Sequence, residues 1–146
     1  MQTNHFFDPT LLNKYNTSGP RYTSYPTALE FHDKFNHEDF IQAVEDSPNR
    51  ELSLYVHIPF CHSLCYYCGC NKVITRHREK ADTYLEYLAK EISLRAPLFT
   101  DYKVKQLHWG GGTPSFLTHK QITQLVNLLK EKFAFADELE MSIEID

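Results

Sequence analysis

The chain has 146 residues, 42% of them hydrophobic and 23% charged, with a formal net charge of −4. That length suits one domain with a buried core, and the mildly acidic balance gives no electrostatic case for nucleic acid or an anionic membrane. No apolar run approaches the roughly 18 residues of a membrane span, and the segment from Met1 to His5 lacks the basic and apolar regions of a signal peptide, so a cytoplasmic location is expected.

The first fifty residues read as a loop-rich N-terminal arm. Asp8-Pro9 is a cap and first-turn proline for a short helix carrying Leu11, Leu12 and Tyr15, stopped by Ser18-Gly19-Pro20. Arg21 to Pro26 reads as extended, since residues before proline avoid the α region. A second short helix is expected to start at Asn36 as cap, to bury Phe40, Ile41 and Val44, and to end before Pro48.

From residue 51 to residue 146 strands and helices alternate. Leu52 to Ile58 reads as a strand closed by Pro59, and four cysteines follow in a loop. Lys80 to Arg95 reads as a helix with Leu85, Leu88 and Ile92 on one face and Pro97 beyond its end. Val104 to Trp109 is a second strand and runs into Gly110-Gly111-Gly112-Thr113-Pro114. Thr118 and Gln121 form a capping box for a helix with Ile122, Leu125, Val126, Leu129 and Phe133 at helical spacing. Leu139, Met141, Ile143 and Ile145 alternate with polar residues, the period of a third strand. This order predicts an α/β fold with a parallel sheet and right-handed crossovers: the first three β/α units of a partial parallel (β/α) barrel. A parallel sheet normally has both faces covered, so the sequence reads as the incomplete N-terminal part of a longer protein.

Cysteines in a reducing compartment read as metal-binding or catalytic rather than as disulfides. Cys61, Cys65 and Cys68 have the spacing C-x3-C-x2-C, and Cys70 follows two residues later. Three thiolates on one loop can share a cluster, and complete ligation of a 4Fe-4S cluster by cysteine takes four. With three, one iron keeps an open position for a small chelating ligand. A structural zinc module would instead pair C-x2-C motifs about a dozen or more residues apart. The glycine run lies at the C-terminal end of a parallel strand, where α/β folds bind ligands. There its bare backbone can approach a ligand and offer N–H and C=O groups. His57 and His108 lie on strands and read as hydrogen-bonded core histidines, while His62 lies in the loop, where the cysteines make it dispensable as a ligand.

The cysteine spacing after Tyr55-Val56-His57-Ile58-Pro59-Phe60, together with Gly110-Gly111-Gly112-Thr113-Pro114, resembles the radical S-adenosylmethionine superfamily. With Pro20-Arg21-Tyr22-Thr23-Ser24-Tyr25-Pro26 and Cys70, it resembles most the oxygen-independent coproporphyrinogen III oxidase family. The resemblance implies that Cys61, Cys65 and Cys68 hold a 4Fe-4S cluster with S-adenosyl-L-methionine on its remaining iron. It assigns Tyr55, Tyr67, Gly111, Gly112, Thr113 and Glu144 to S-adenosyl-L-methionine. Phe is also usual in the family where this chain has Tyr67. Without the family match Glu144 would read as a solvated carboxylate and Tyr55 as core. The implied reaction is oxidative decarboxylation of coproporphyrinogen III to protoporphyrinogen IX in haem biosynthesis, through a 5′-deoxyadenosyl radical. Cys70, as a fourth ligand, would close the open iron; it is expected instead to face the cofactor side in a catalytic role. Arg21 could pair with a substrate propionate. A low-potential electron donor and a monomeric state complete the expectation. A haem chaperone of the same family is the first alternative, but it lacks the Arg-Tyr-Thr-Ser-Tyr-Pro stretch and typically has an aromatic at the position of Cys70. A zinc module is the second.

Overall fold

The structure, a computed structural model, describes residues 8–17 and 27–145. Arg21 and the rest of the expected extended segment to Pro26 lie outside the described residues. The chain divides into two units, Met1–Asn36 and His37–Asp146. In the first, α1 (Pro9–Tyr15) begins at Asp8, whose carboxylate accepts hydrogen bonds from the Thr10 and Leu11 amides at 2.8 and 3.4 Å. Leu11, Leu12 and Tyr15 remain exposed.

The second unit opens with α2 (His37–Asp46). Phe40, Ile41 and Val44 are half-buried rather than buried. The Phe40 ring packs on Phe99, 6.4 Å away, and under the Arg95 guanidinium, so this helix leans on a 3-10 turn at Ala96–Phe99. Its last carbonyls are satisfied from outside: Arg50 donates to Val44 and Glu45, and the Tyr102 hydroxyl donates to Val44.

The remaining elements are β1 (Glu51–Ile58), β2 (Phe60–Cys61), β3 (Val73–Ile74), α3 (Lys80–Arg95), β4 (Lys103–Gly111), α4 (His119–Lys132) and β5 (Ala134–Ile143). Strands β1, β4 and β5 form one parallel sheet in that order, and β2 pairs in parallel with β3. The expected β-α-β-α-β succession is present as an open, unclosed sheet. Helices α3 and α4 cover one face, over a core of Val56, Ile58, Leu107, Trp109, Ile92, Leu125 and Leu129. The capping box of α4 is formed, with the Thr118 amide donating to Gln121 Oε1 at 2.8 Å and the Gln121 amide donating back to Thr118 Oγ1 at 3.3 Å. Gln121 also donates to Asp82 of α3 at 2.7 Å, tying the first turns of the two helices together.

Two strand boundaries differ from expectation. β4 runs through Gly110 and Gly111, because both glycines still pair with β1. β5 starts at Ala134, not Leu139, and stops at Ile143. Its partner register jumps, since Val104 pairs with Phe135 while Gln106 pairs with Glu140. Phe135 and Leu139 both pack on the core, and the extra residues between them break the alternation that the sequence shows only from Leu139 onward. Met141 and Ile143 lie beside Leu107 and Trp109 on the helix side of the sheet, yet are 59% and 50% exposed. Among the described residues no helix is long and apolar enough to cross a membrane.

Phe116 is fully buried in a 3-10 turn after the glycine run, stacked on Phe60 at 5.2 Å. Phe116→Ala is expected to destabilise the chain by about 3–5 kcal/mol, and the exposed Tyr87→Ala by under about 1 kcal/mol, as read from midpoint shifts in denaturant unfolding.

Candidate functional site

The segment continuing β1 joins two functional stretches through alternating carbonyls. Ile58 and Phe60 accept from the amides of Gly112 and Thr113, both at 2.8 Å. Pro59 and Cys61 accept from the amides of Val73 and Thr75 at 2.7 and 2.9 Å. The glycine run therefore lies along one side of residues 58–61, and the far end of the cysteine loop along the other.

Between these clamps the loop is open. Cys61 is buried at its base, Cys68 is half-buried, and Cys65 and Cys70 are exposed. Tyr66 and Tyr67 stand almost wholly in solvent. His62 packs its ring against Phe116, 4.8 Å between centroids. Lys72 Nζ donates to the carbonyls of Cys68 and Cys70 at 3.3 and 3.1 Å. The Cys70 thiol is hydrogen-bonded to Cys68. That bond and the charge of Cys68 raise the Cys70 pKa, with lesser contributions from desolvation and Glu144, while Lys72 opposes them. Among the described residues no three His, Cys, Asp or Glu side chains converge closely enough to hold a metal ion.

The sheet face away from α3 and α4 is polar, because residues alternate across a strand. One cross-strand row runs from the Ser53 hydroxyl to Gln106 at 2.7 Å, and from Gln106 to Glu140 at 2.8 Å. In the next row Tyr55 stacks on His108, 5.6 Å between rings, and His108 Nδ1 meets the Ser142 hydroxyl at 2.7 Å. Toward the C-terminal edge, His57 Nδ1 lies 3.1 Å from the Tyr55 hydroxyl and its Nε2 lies 2.9 Å from the Asn71 carbonyl of the cysteine loop. Glu144 accepts from the Gly111 amide at 3.1 Å and lies 3.4 Å from His108 Nε2. Although the Tyr55 side chain is largely exposed, loss of water around its hydroxyl raises its pKa, and the charges of Glu144 and then Cys70 add to that.

Gly111 and Gly112 are required for different reasons. Gly111 has φ +110°, a conformation that favours glycine, and the His57 imidazole occupies the space a Cβ would need, 2.6 Å away. A Cβ on Gly112 would meet the backbone of Pro59 and Phe60 at 2.7 Å. The run was expected to offer N–H groups to a ligand, yet those of Gly112 and Thr113 are spent on Ile58 and Phe60. The Thr113 hydroxyl is paired with that of Ser115 at 3.1 Å.

The fold thus links Tyr55, Gly111 and Glu144 through His108, with Cys70 as a neighbour of both Glu144 and Cys68, while Tyr67 projects into solvent. Tyr55 is not core, and His57 and His108 are not core histidines either. Period two places all three on the face opposite Val56 and Leu107. Sequence reasoning gave His57, Asn71 and Lys72 no part in the site. The first was legible in its i, i+2 relation to Tyr55, and the other two only through the loop's folding.

The chain is similar to curated proteins described as oxygen-independent coproporphyrinogen III oxidase. It is 61% identical over 140 residues to that of Salmonella typhimurium, covering 96% of this chain and 31% of the relative. It is 60% identical to that of Escherichia coli, with the same coverage. With the Mannheimia haemolytica protein of that description it shares 59% identity, over 96% of both chains. The chain therefore spans about a third of the length of the Salmonella and Escherichia relatives. A solved structure described as coproporphyrinogen III oxidase from Escherichia coli, a radical SAM enzyme, superposes with a TM-score of 0.83 at 57% identity, over 94% of this chain and 30% of that one. No family model matches the chain.

Gly112→Ala is expected to cost stability, roughly 1–3 kcal/mol, because backbone must move. Gly110→Ala meets only the end of the Glu144 side chain, 2.9 Å from the added Cβ, and should cost less. It should instead displace the carboxylate and weaken its bond to Gly111. Unfolding midpoints check the first expectation, and the Gly111 amide resonance checks the second.

Proposed function

The chain belongs to the oxygen-independent coproporphyrinogen III oxidase family, and from that membership we propose that it forms the cluster- and cofactor-binding part of such an enzyme. The observation that carries this reading is a chain of contacts toward the C-terminal edge of the sheet, in which the Gly111 amide holds Glu144, Glu144 lies against His108, His108 stacks on Tyr55, and His57 ties Tyr55 to Asn71 of the cysteine loop. The similarity to proteins named as oxidases favours it over a haem chaperone or a zinc module.

The donor set fits the group this family implies. Soft sulfur ligands suit an iron–sulfur cluster, and all three lie on one loop whose two ends are fixed by backbone bonds. In this reading Cys61, Cys65 and Cys68 hold a 4Fe-4S cluster, and S-adenosyl-L-methionine binds against Tyr55, Tyr67, Gly111, Gly112, Thr113 and Glu144. Once bound, they supply the one-electron chemistry that begins oxidative decarboxylation of coproporphyrinogen III.

The chain's own residues bind and orient. Glu144, held by the Gly111 amide and His108, presents a carboxylate as an acceptor for sugar hydroxyls. Tyr55 is steadied by its stack on His108 and by His57, which also links it to the loop at Asn71. Cys70 stands on the open side with Glu144 as a charged neighbour, suited to contact cofactor or substrate rather than to close the cluster. The substrate's carboxylates, a low-potential electron donor and a cytoplasmic, monomeric enzyme complete the proposal.

Anaerobically reconstituted protein should bind one 4Fe-4S cluster, checked by iron and sulfide analysis and electron paramagnetic resonance. Serine at Cys61, Cys65 or Cys68 should remove it. Cys70→Ser in the complete protein should keep the cluster spectrum and lose turnover. Stoichiometric zinc without an iron–sulfur signal would refute the reading. The 146-residue chain alone should form no protoporphyrinogen IX, because an open three-stranded sheet does not enclose a tetrapyrrole; product from it would overturn that expectation.

A further inference from the structure

From Cys61 to Thr75 the sequence contains one formally charged side chain, Lys72. Its ammonium is turned back into the loop, donating to the carbonyl of Cys68 at 3.3 Å and to that of Cys70 at 3.1 Å. Lys72 is itself half-buried, and the residue before it is fixed by the bond between the Asn71 carbonyl and His57. On its other side Val73 is clamped to Pro59. The charge is therefore anchored from both ends of a short segment. We propose that Lys72 is the positioning residue of the cysteine loop: it folds the Cys68–Cys70 turn by bridging its two carbonyls and sets a fixed positive charge beside the cluster carried by that turn. The cluster half of this statement rests on the function proposed above.

A bound cluster adds negative charge when it takes up an electron, and a nearby ammonium of low mobility favours that reduced state. Among the described residues Lys72 makes no cation–π contact and no ion pair, and its ammonium donates to the loop's own carbonyls.

The test compares Lys72→Met, of similar length without charge, with Lys72→Arg, which keeps charge and donors. In the reconstituted chain, Lys72→Met should hold less reduced cluster at a fixed ambient potential by roughly tenfold, equivalent to about 59 mV for one electron. Lys72→Arg should stay close to the unsubstituted chain. In metal-free protein, amide exchange at residues 68–71 should quicken in Lys72→Met and be restored in Lys72→Arg. A full cluster at unchanged potential in Lys72→Met overturns the electrostatic role, and unchanged exchange in the metal-free protein overturns the positioning role. An unsubstituted chain that binds no cluster refutes the underlying functional reading, and the exchange comparison then still decides the role of Lys72 in the loop.

Discussion

Four consecutive carbonyls, from Ile58 to Cys61, hold this molecule's functional end together. They point alternately to either side, so Ile58 and Phe60 take the amides of Gly112 and Thr113, while Pro59 and Cys61 take those of Val73 and Thr75. Proline tolerates this position because it has no N–H of its own to satisfy. The consequence is that the start and end of the cysteine loop, and the glycine run two elements away in sequence, are fixed to one short piece of extended chain. Gly112 must be glycine for this to happen, since any Cβ there would strike Pro59 and Phe60. Packing supports the same piece from below: Phe60 stacks on Phe116 and meets Tyr84 edge-on, and the Tyr84 hydroxyl donates to the His57 carbonyl at 2.5 Å.

The sheet carries two chemistries on its two faces. One face is apolar and covered by α3 and α4, where burial of Val56, Ile58, Leu107 and Trp109 supplies the main stabilisation. The other carries ordered polar rows whose members satisfy one another across strands. Such a face is a place for recognition, because its donors and acceptors are already held in register by the backbone. Tyr55 comes from β1, His108 from β4 and Glu144 from just past the end of β5, and they meet only because β4 lies between β1 and β5. Formal charge is sparse near the cysteine loop: Lys72 is the one formally charged side chain from Cys61 to Thr75, and Glu144, just past the end of β5, is an acidic neighbour of Cys70.

Family membership and geometry bear on different parts of the functional reading. Identity of 59–61% to proteins described as oxidases places the chain in a family. The arrangement at the strand ends indicates which of its residues can act on a common ligand. Tyr67 illustrates the difference: the resemblance assigns it to the cofactor, while in the structure it stands almost wholly in solvent.

The sequence alone determined the α/β succession, the capping box at Thr118 and Gln121, and the grouping of three cysteines on one loop. Each is a local signal, written in spacing within a dozen residues, and local hydrogen bonding or periodicity reads it out directly. It also placed glycines at the end of a strand, where close approach was expected. Tertiary structure decided the rest. Whether Tyr55 and His57 face core or solvent depends on which side the helices cover, and the strand's own alternation is the same either way. The start of β5 depended on Phe135 and Leu139 both reaching the core, a long-range packing demand that shifts register by more than its alternation reveals. The Gly112 and Thr113 amides proved committed because the segment continuing β1 runs alongside them and offers the Ile58 and Phe60 carbonyls. Lys72 reads as an ordinary solvated lysine until the loop folds back and places two carbonyls within reach of its ammonium.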